Sequence, residues 1–236
     1  MVNKEFPAAP VTDVTDAAKE FFIPAGKKEF PTAAVTDDSC DLGDDFFTFP
    51  DTSEVSYVQL FPDKNVTFSE ISLCMRFKTV KNRHFALFSL ATKKSANSFT
   101  VEAKKRHKFS LSVHTHTSII LKKPFARDWM SLCVSWTSKT GNVELWIDGD
   151  YYEKGNFKKG ANISGVPFII IGEEQDSYGG GFNKSQSFIG DIADVNLWDR
   201  ALTEEEVMEF IYHDNIRGNV ITWRALSIRL LHSASC

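Results

Sequence analysis

From Phe46 onward the chain repeatedly places apolar residues at every second position, in short runs with no helical pattern between them. Ser69-Glu70-Ile71-Ser72-Leu73-Cys74-Met75-Arg76-Phe77 carries an apolar set at 71, 73, 75 and 77. Phe109, Leu111 and Val113 keep the same period, and so do Val143, Leu145 and Ile147. Successive side chains leave a strand on opposite sides, so this period predicts strands with one face in a core. Asp148-Gly149 follows the third run and suits a two-residue hairpin turn, in which both central residues take positive φ. Phe168-Ile169-Ile170-Ile171 is apolar throughout and reads as a fully buried strand. Strands that recur without interleaved helices predict an all-β fold of two antiparallel sheets packed face to face. Twenty phenylalanines among 236 residues supply bulky, strand-favouring side chains for that core.

One segment departs from the strand period. Thr203 with Glu206 three residues later forms a capping box, and Glu204 and Glu205 complete an acidic first turn. Val207, Phe210 and Ile211 then make an i, i+3, i+4 stripe that must lie on something. The pattern predicts one helix packed on one face of the sandwich.

Residues 1–45 read differently. Lys4-Glu5-Phe6-Pro7-Ala8-Ala9-Pro10-Val11-Thr12-Asp13 returns as Lys28-Glu29-Phe30-Pro31-Thr32-Ala33-Ala34-Val35-Thr36-Asp37, in two copies only. Two copies fall short of the three or so that a solenoid needs. The Ala, Pro, Thr and Asp content predicts a disordered leader over 1–45, ahead of a folded domain over 46–236. The start, Met1-Val2-Asn3-Lys4-Glu5-Phe6-Pro7, lacks the basic and then apolar pattern of a secretory signal. No stretch approaches the ~18 apolar residues of a membrane span. The net charge of -4 predicts no affinity for a specific nucleic-acid sequence or an anionic membrane.

Four cysteines occur, Cys40, Cys74, Cys133 and Cys236, none in a CxxC pair, which argues against a thiolate zinc site. For Cys40 and Cys236 two readings stand: a bridge, within or between subunits, and two free thiols.

Several motifs in order carry a resemblance. Ser131-Leu132-Cys133-Val134-Ser135-Trp136-Thr137-Ser138 is similar to the pentraxin signature His-x-Cys-x-Ser/Thr-Trp-x-Ser/Thr, with Ser131 in place of His. Gly172-Glu173-Glu174-Gln175-Asp176-Ser177-Tyr178-Gly179-Gly180 resembles the family's calcium loop and runs on through Ser185-Gln186-Ser187 to Val195-Asn196-Leu197-Trp198-Asp199. Asn219-Val220-Ile221-Thr222-Trp223-Arg224-Ala225-Leu226 resembles the last strand of short pentraxins. The likeness spans about residues 46–226 and lies nearest the C-reactive protein and serum amyloid P branch.

The resemblance implies a jelly-roll sandwich with its helix on the face away from the ligand, and a Cys74–Cys133 disulfide that requires an oxidising compartment. It also implies a secreted, non-enzymatic recognition protein of innate immunity and the acute phase, assembled as a cyclic, usually pentameric homo-oligomer. Two calcium ions would be held by Asn97, Glu174, the backbone carbonyl of Gln175, Asp176 and Gln186, with Asn183 where the family has Glu. Such ions offer open positions to phosphate or acidic-sugar oxygens. Two departures reduce the charge of the set: Ala96 stands where the family has Asp, and Asn183 where it has Glu. Calcium affinity follows ligand charge and number, so weakened binding is expected, with one site or none as the limits. Glu102 occupies the position of the family's apolar choline contact, which argues against phosphocholine as the ligand.

Other features have simpler readings. Lys104-Lys105-Arg106-His107-Lys108 is a candidate polyanion site or a solvated strand edge. The former supports an alternative function, a calcium-independent polyanion binder or scaffold. His114-Thr115-His116 places two imidazoles on one predicted strand face, as a metal pair lacking a third ligand or as solvent-facing residues. Sequons stand at Asn65, Asn162 and Asn183, the last within the calcium loop. Glu174-Gln175-Asp176 begins a jelly-roll glycosidase motif, but Tyr178 and Gly179 stand where the second catalytic carboxylate belongs, so no enzyme is expected.

Overall fold

The structure is a computed structural model and describes residues 46–53, 56–62, 67–104, 108–122, 128–213 and 215–231. The leader with its repeat, Cys40, Cys236, Asn65 and Lys105–His107 of the basic run lie outside the described residues.

The strands are β1 (Phe47–Phe49), β2 (Tyr57–Phe61), β3 (Glu70–Lys78), β4 (Phe85–Thr92), β5 (Ser95–Lys104), β6 (Lys108–Val113), β7 (His116–Lys122), β8 (Met130–Thr137), β9 (Asn142–Ile147), β10 (Asp150–Lys154), β11 (Phe168–Ile171), β12 (Gly190–Trp198) and β13 (Ser227–Leu231). They form a six-stranded sheet in the order β1-β12-β3-β8-β9-β10 and a seven-stranded sheet in the order β13-β2-β11-β4-β5-β6-β7. Every pairing is antiparallel, and most spatial neighbours are distant in sequence, as a jelly-roll requires.

The period of two sorts the residues as expected. Ile71, Leu73, Met75 and Phe77 of β3 join Phe109, Leu111, Val113, Val143, Leu145 and Ile147 in one core between the sheets. Ile169 and Ile171 of β11 enter that core as well, and all four residues of the strand are buried. Asp148 and Gly149 take φ of 49° and 84°, the two positive values of the predicted hairpin turn.

Alternation alone leaves one fact of β3 unexplained: its outward residues Ser72 and Cys74 are fully buried too. The cause is the segment Arg200–Leu202, which hydrogen-bonds Ser72, together with α1 (Glu204–Tyr212), which lies on the outer face of the six-stranded sheet. Val207 and Phe210 pack with Cys74, Cys133, Trp146, Trp198 and Leu202 into a second, smaller core, against which Ile211 also lies. Thr203 and Glu206 form the capping box reciprocally, and Arg200 grips Glu206 through two 2.6 Å contacts. The last turn carries no basic residue of its own. Arg76 reaches across from β3 instead, donating to the Phe210 carbonyl at 2.8 Å, pairing with Asp194 and lying over the Phe210 ring. A cation at the helix C-terminus complements the macrodipole, so a sheet residue completes the helix.

Cys74 and Cys133 stand directly opposite each other on β3 and β8 and form a disulfide, with Cα atoms 4.1 Å apart.

Candidate functional site

β11 ends at Gly172, whose φ of +90° swings the chain off the sheet. A Cβ there would come within 2.3 Å of the Phe49 ring, so only glycine fits. The next residues divide by depth. Glu173 is fully buried and interacts electrostatically with Arg83; Glu174 is 4% exposed; Gln175 is fully buried; Asp176 is exposed.

Gln175 fixes the loop from inside. Its Nε2 donates to the Ser89 carbonyl and hydroxyl, each at 3.2 Å, and to the Phe168 carbonyl at 3.1 Å. Its Oε1 accepts from the Gly179 amide at 3.0 Å. The side chain is consumed by this anchoring, which leaves its backbone carbonyl as the group for a ligand, as the resemblance implies.

Around Glu174 the expected residues converge. Gln186 donates to Glu174 Oε2 at 3.2 Å, Asn97 hydrogen-bonds the same carboxylate, and Asp176 acts on it through space. The Glu174 pKa is raised, first by burial and then by the Asp176 charge; the Asn97 and Gln186 hydrogen bonds oppose this. A carboxylate pushed up in this way destabilises the fold when ionised. Its contribution to stability is highest below its unfolded pKa and is lost as pH rises through the raised folded value. Glu174→Gln is therefore expected to stabilise the metal-free protein at neutral pH. The gain should shrink toward zero as pH falls through the Glu174 pKa, as followed by urea denaturation across a pH series.

Asn183 is placed differently. Its Oδ1 accepts from the Ser185 amide at 3.0 Å and its carbonyl from the Gln186 amide at 2.7 Å, closing a turn on the exposed surface. Its side-chain oxygen is thus engaged locally rather than turned to Glu174, and Asn183 positions Gln186 instead. Asn97 sits on β5 where the register against β4 slips between Leu90 and Thr92, and its Oδ1 accepts from Thr100 at 2.9 Å.

Two contributors went unread in the sequence, Arg83 and Ser89, and Glu102 was read only as replacing an apolar contact. Arg83 spans from the loop before β4 to the carbonyls of Lys184 and Ser185 at 3.2 Å each and to Ser187, tying down the turn that carries Gln186. Ser89 anchors Gln175. Beside Glu174, Glu102 is 4% exposed and held by His84 at 2.5 Å and Lys104 at 2.7 Å. Burial pushes the Glu102 carboxyl up, but the His84 and Lys104 hydrogen bonds and charges outweigh it and leave the pKa lowered. No local motif marks any of these, because each acts across strands.

The histidine reading changes. His114 and His116 do not share a strand face: His114 and Thr115, with φ of 48° and 66°, form the turn between β6 and β7. The short polar run that looked like one strand is a hairpin tip, and each imidazole hydrogen-bonds a backbone carbonyl at 3.0 Å. Lys104, the first residue of the basic run, is held by Glu102 and His84. Asn162 is exposed.

The donor set is all oxygen, with two carboxylates and two carboxamides meeting at one loop, which suits a hard divalent cation. Among the described residues no group of three His, Cys, Asp or Glu side chains could hold a metal, so any ion here relies on amide and carbonyl oxygens. Gln186 now offers its N–H to Glu174; half a turn of the amide offers oxygen instead, and the hydrogen-bond network decides which. The residues fit calcium as a low-charge site.

A model of the pentaxin family matches residues 45–235. The chain belongs to that family, the pentraxins. C-reactive protein of Xenopus laevis is 37% identical over 198 residues, which cover 83% of each chain. Serum amyloid P-component of Cavia porcellus is 34% identical, covering 80% of this chain and 85% of its own. In the fold, the native heptameric SAP-like pentraxin from Limulus polyphemus superposes with a TM-score of 0.69 at 24% identity, covering 81% of this chain and 97% of that one. Pentraxins of the C-reactive protein and serum amyloid P kind are non-enzymatic, lectin-like binding proteins, and this chain is one of them. No helix among the described residues is long and apolar enough to cross a membrane.

Proposed function

We propose that this pentraxin is a secreted recognition protein that binds phosphate-bearing or acidic-sugar ligands through calcium, at an affinity below that of its family. The observation that carries the reading is the convergence of Asn97, Asp176 and Gln186 on the buried carboxylate of Glu174. Bound calcium would supply open coordination positions to ligand oxygens. The chain's residues would hold it through Glu174, Asp176, the Gln175 carbonyl and the Asn97 and Gln186 carboxamides. Gln175, Ser89, Arg83 and the Asn183 turn fix the loop beforehand, which lowers the ordering cost of binding. Ala96 offers no side-chain ligand, and Asn183 is spent on its turn.

The disulfide supports a secreted protein. A cyclic homo-oligomer, pentameric in the resemblance and heptameric in the Limulus relative, would multiply weak sites into useful avidity. In this reading residues 1–45 are a leader outside the binding domain of 46–236. Glu102, locked between His84 and Lys104, stands where an apolar choline contact would lie and argues against phosphocholine as the ligand.

Calorimetric titration of calcium into the wild type and Asp176→Asn tests this. Saturable heat in the wild type that is lost in the variant is the expected result. No heat at millimolar calcium in either would replace this reading with calcium-independent polyanion binding.

A further inference from the structure

The outer face of the six-stranded sheet is covered unevenly. α1 packs over Cys74, Cys133 and Trp198, but the rows of side chains on that face continue beyond it to the edge strand β10. Register sets those rows: Tyr151 stands opposite Trp146, and Glu153 opposite Glu144. Between this edge and the first turn of α1 lies an open cleft of about 300 Å³, lined by Glu144, Trp146, Tyr151, Leu202, Thr203 and Glu204. It belongs to the sheet opposite the one that carries Asn97 and leads into Glu174, and it shares no residue with that site.

The cleft has three features that point to a ligand. Trp146 is 2% exposed, yet its Nε1 has no hydrogen-bond partner. A buried donor without an acceptor is costly, so an oxygen brought by a ligand would be favoured. Tyr151 is half exposed, with its ring centroid 5.1 Å from that of Trp146, and it presents an aromatic surface at the mouth. Glu144 and Glu204 line the walls with no lysine or arginine among the lining residues, and Glu153 adjoins them on β10. The local field is negative: the Glu144 pKa is raised, by burial first and then by the Glu153 charge, against a hydrogen bond from the Tyr151 side chain. The Tyr151 phenol is likewise raised, first by burial and then by Glu144 and Glu153. The helix N-terminus is already satisfied by the capping box and needs no anion from outside.

Each feature narrows the ligand. The paired carboxylates select a cation, the orphan indole N–H selects an oxygen acceptor on the same molecule, and the tyrosine ring selects a C–H face or the cation itself. A simple alkylammonium meets the first and third but brings no oxygen acceptor, and a neutral sugar brings no charge. We propose that this cleft binds a protonated amine that also carries hydroxyl oxygens, an amino sugar being the class that meets all three. The ammonium sits with Glu144 and Glu204, the sugar face lies on Tyr151, and a sugar oxygen accepts from Trp146 Nε1.

The test uses the full chain labelled with ¹⁵N and follows the Trp146 indole N–H resonance, assigned with Trp146→Phe. Glucosamine is expected to shift this resonance saturably at millimolar concentration. Glucose and ethylammonium should be weaker by about tenfold, equivalent to one lost charged or hydrogen-bonded contact. Glu144→Gln and Tyr151→Ala should each weaken glucosamine to a similar extent, while chelator and Asp176→Asn leave it unchanged. Retained dispersion in the spectra of both variants separates lost binding from lost fold. A Trp146 resonance that does not respond to glucosamine overturns the proposal, as does equal binding of glucose. Tighter binding of Nα-acetyl-lysine amide than of glucosamine would overturn it in favour of a protein partner's lysine.

Discussion

Ala96→Asp combined with Asn183→Glu is expected to tighten calcium binding about 100-fold in calorimetric titration, roughly tenfold per restored carboxylate. At an effective dielectric of about 20, two unit charges ~4 Å apart interact by about 4 kcal/mol, and a tenfold gain needs only about 1.4 kcal/mol. The surplus is consumed elsewhere. New charges repel Glu174 and Asp176 in the metal-free protein, where the Glu174 pKa is already raised by its surroundings. Replacing Asn183 also removes the 3.0 Å bond that closes its turn onto Ser185. Asn183→Asp separates these effects, since aspartate can accept from the same amide while adding the charge. That single variant should retain the turn and, with its carboxylate held there, gain less than the tenfold of a restored ligand. An unchanged affinity in the double variant would locate the deficit in the geometry of the loop rather than in its charge.

Removing the Cys74–Cys133 bridge should cost about 4 kcal/mol of unfolding free energy on the chain-entropy estimate for its 59-residue separation. For a domain of this size that lowers the melting temperature by roughly 8–16 °C. The bridge also lies in the smaller core, where Trp146, Trp198 and Phe210 pack around the two sulfurs' residues and solvent does not reach them. Serine in either position would bury a hydroxyl there and add its own penalty. Cys74→Ala with Cys133→Ala is therefore the cleaner variant, and thiol reduction of the wild type is an independent arm. Agreement between the two would assign the loss to the cross-link. Stability unchanged in both would mean that packing beneath α1, rather than the covalent bond, holds β3 to β8.

Much of the architecture was legible because it depends on short-range pattern. The period of two at Ile71, Leu73, Met75 and Phe77 put these residues in the main core, and Asp148-Gly149 made the predicted turn. Thr203 and Glu206 capped the helix as expected, since a capping box needs only four consecutive positions. The reading failed at His114 and His116, where a hairpin tip was read as strand. Two positive-φ residues there carry no glycine to announce the turn.

The candidate site divides along the same line. Glu174, Gln175 and Asp176 were visible as a motif, and Asn97, Asn183 and Gln186 through resemblance. Their separate roles were not: Gln175 turns inward to Ser89, Asn183 builds a turn, and Arg83 ties that turn to β4. Nor did the sequence reveal that Ser72 and Cys74 would be buried on the outward side of β3, or that Trp146 would keep an unpartnered N–H beside Glu144 and Tyr151. What the sequence determined by itself were the strands, the turn and the helix, because backbone period and capping are decided within a few residues. Which polar groups meet, and which are stranded, was decided only when thirteen described strands closed into two sheets. Burial and hydrogen bonding across 60 to 140 residues of chain depend on that closure and on no local pattern.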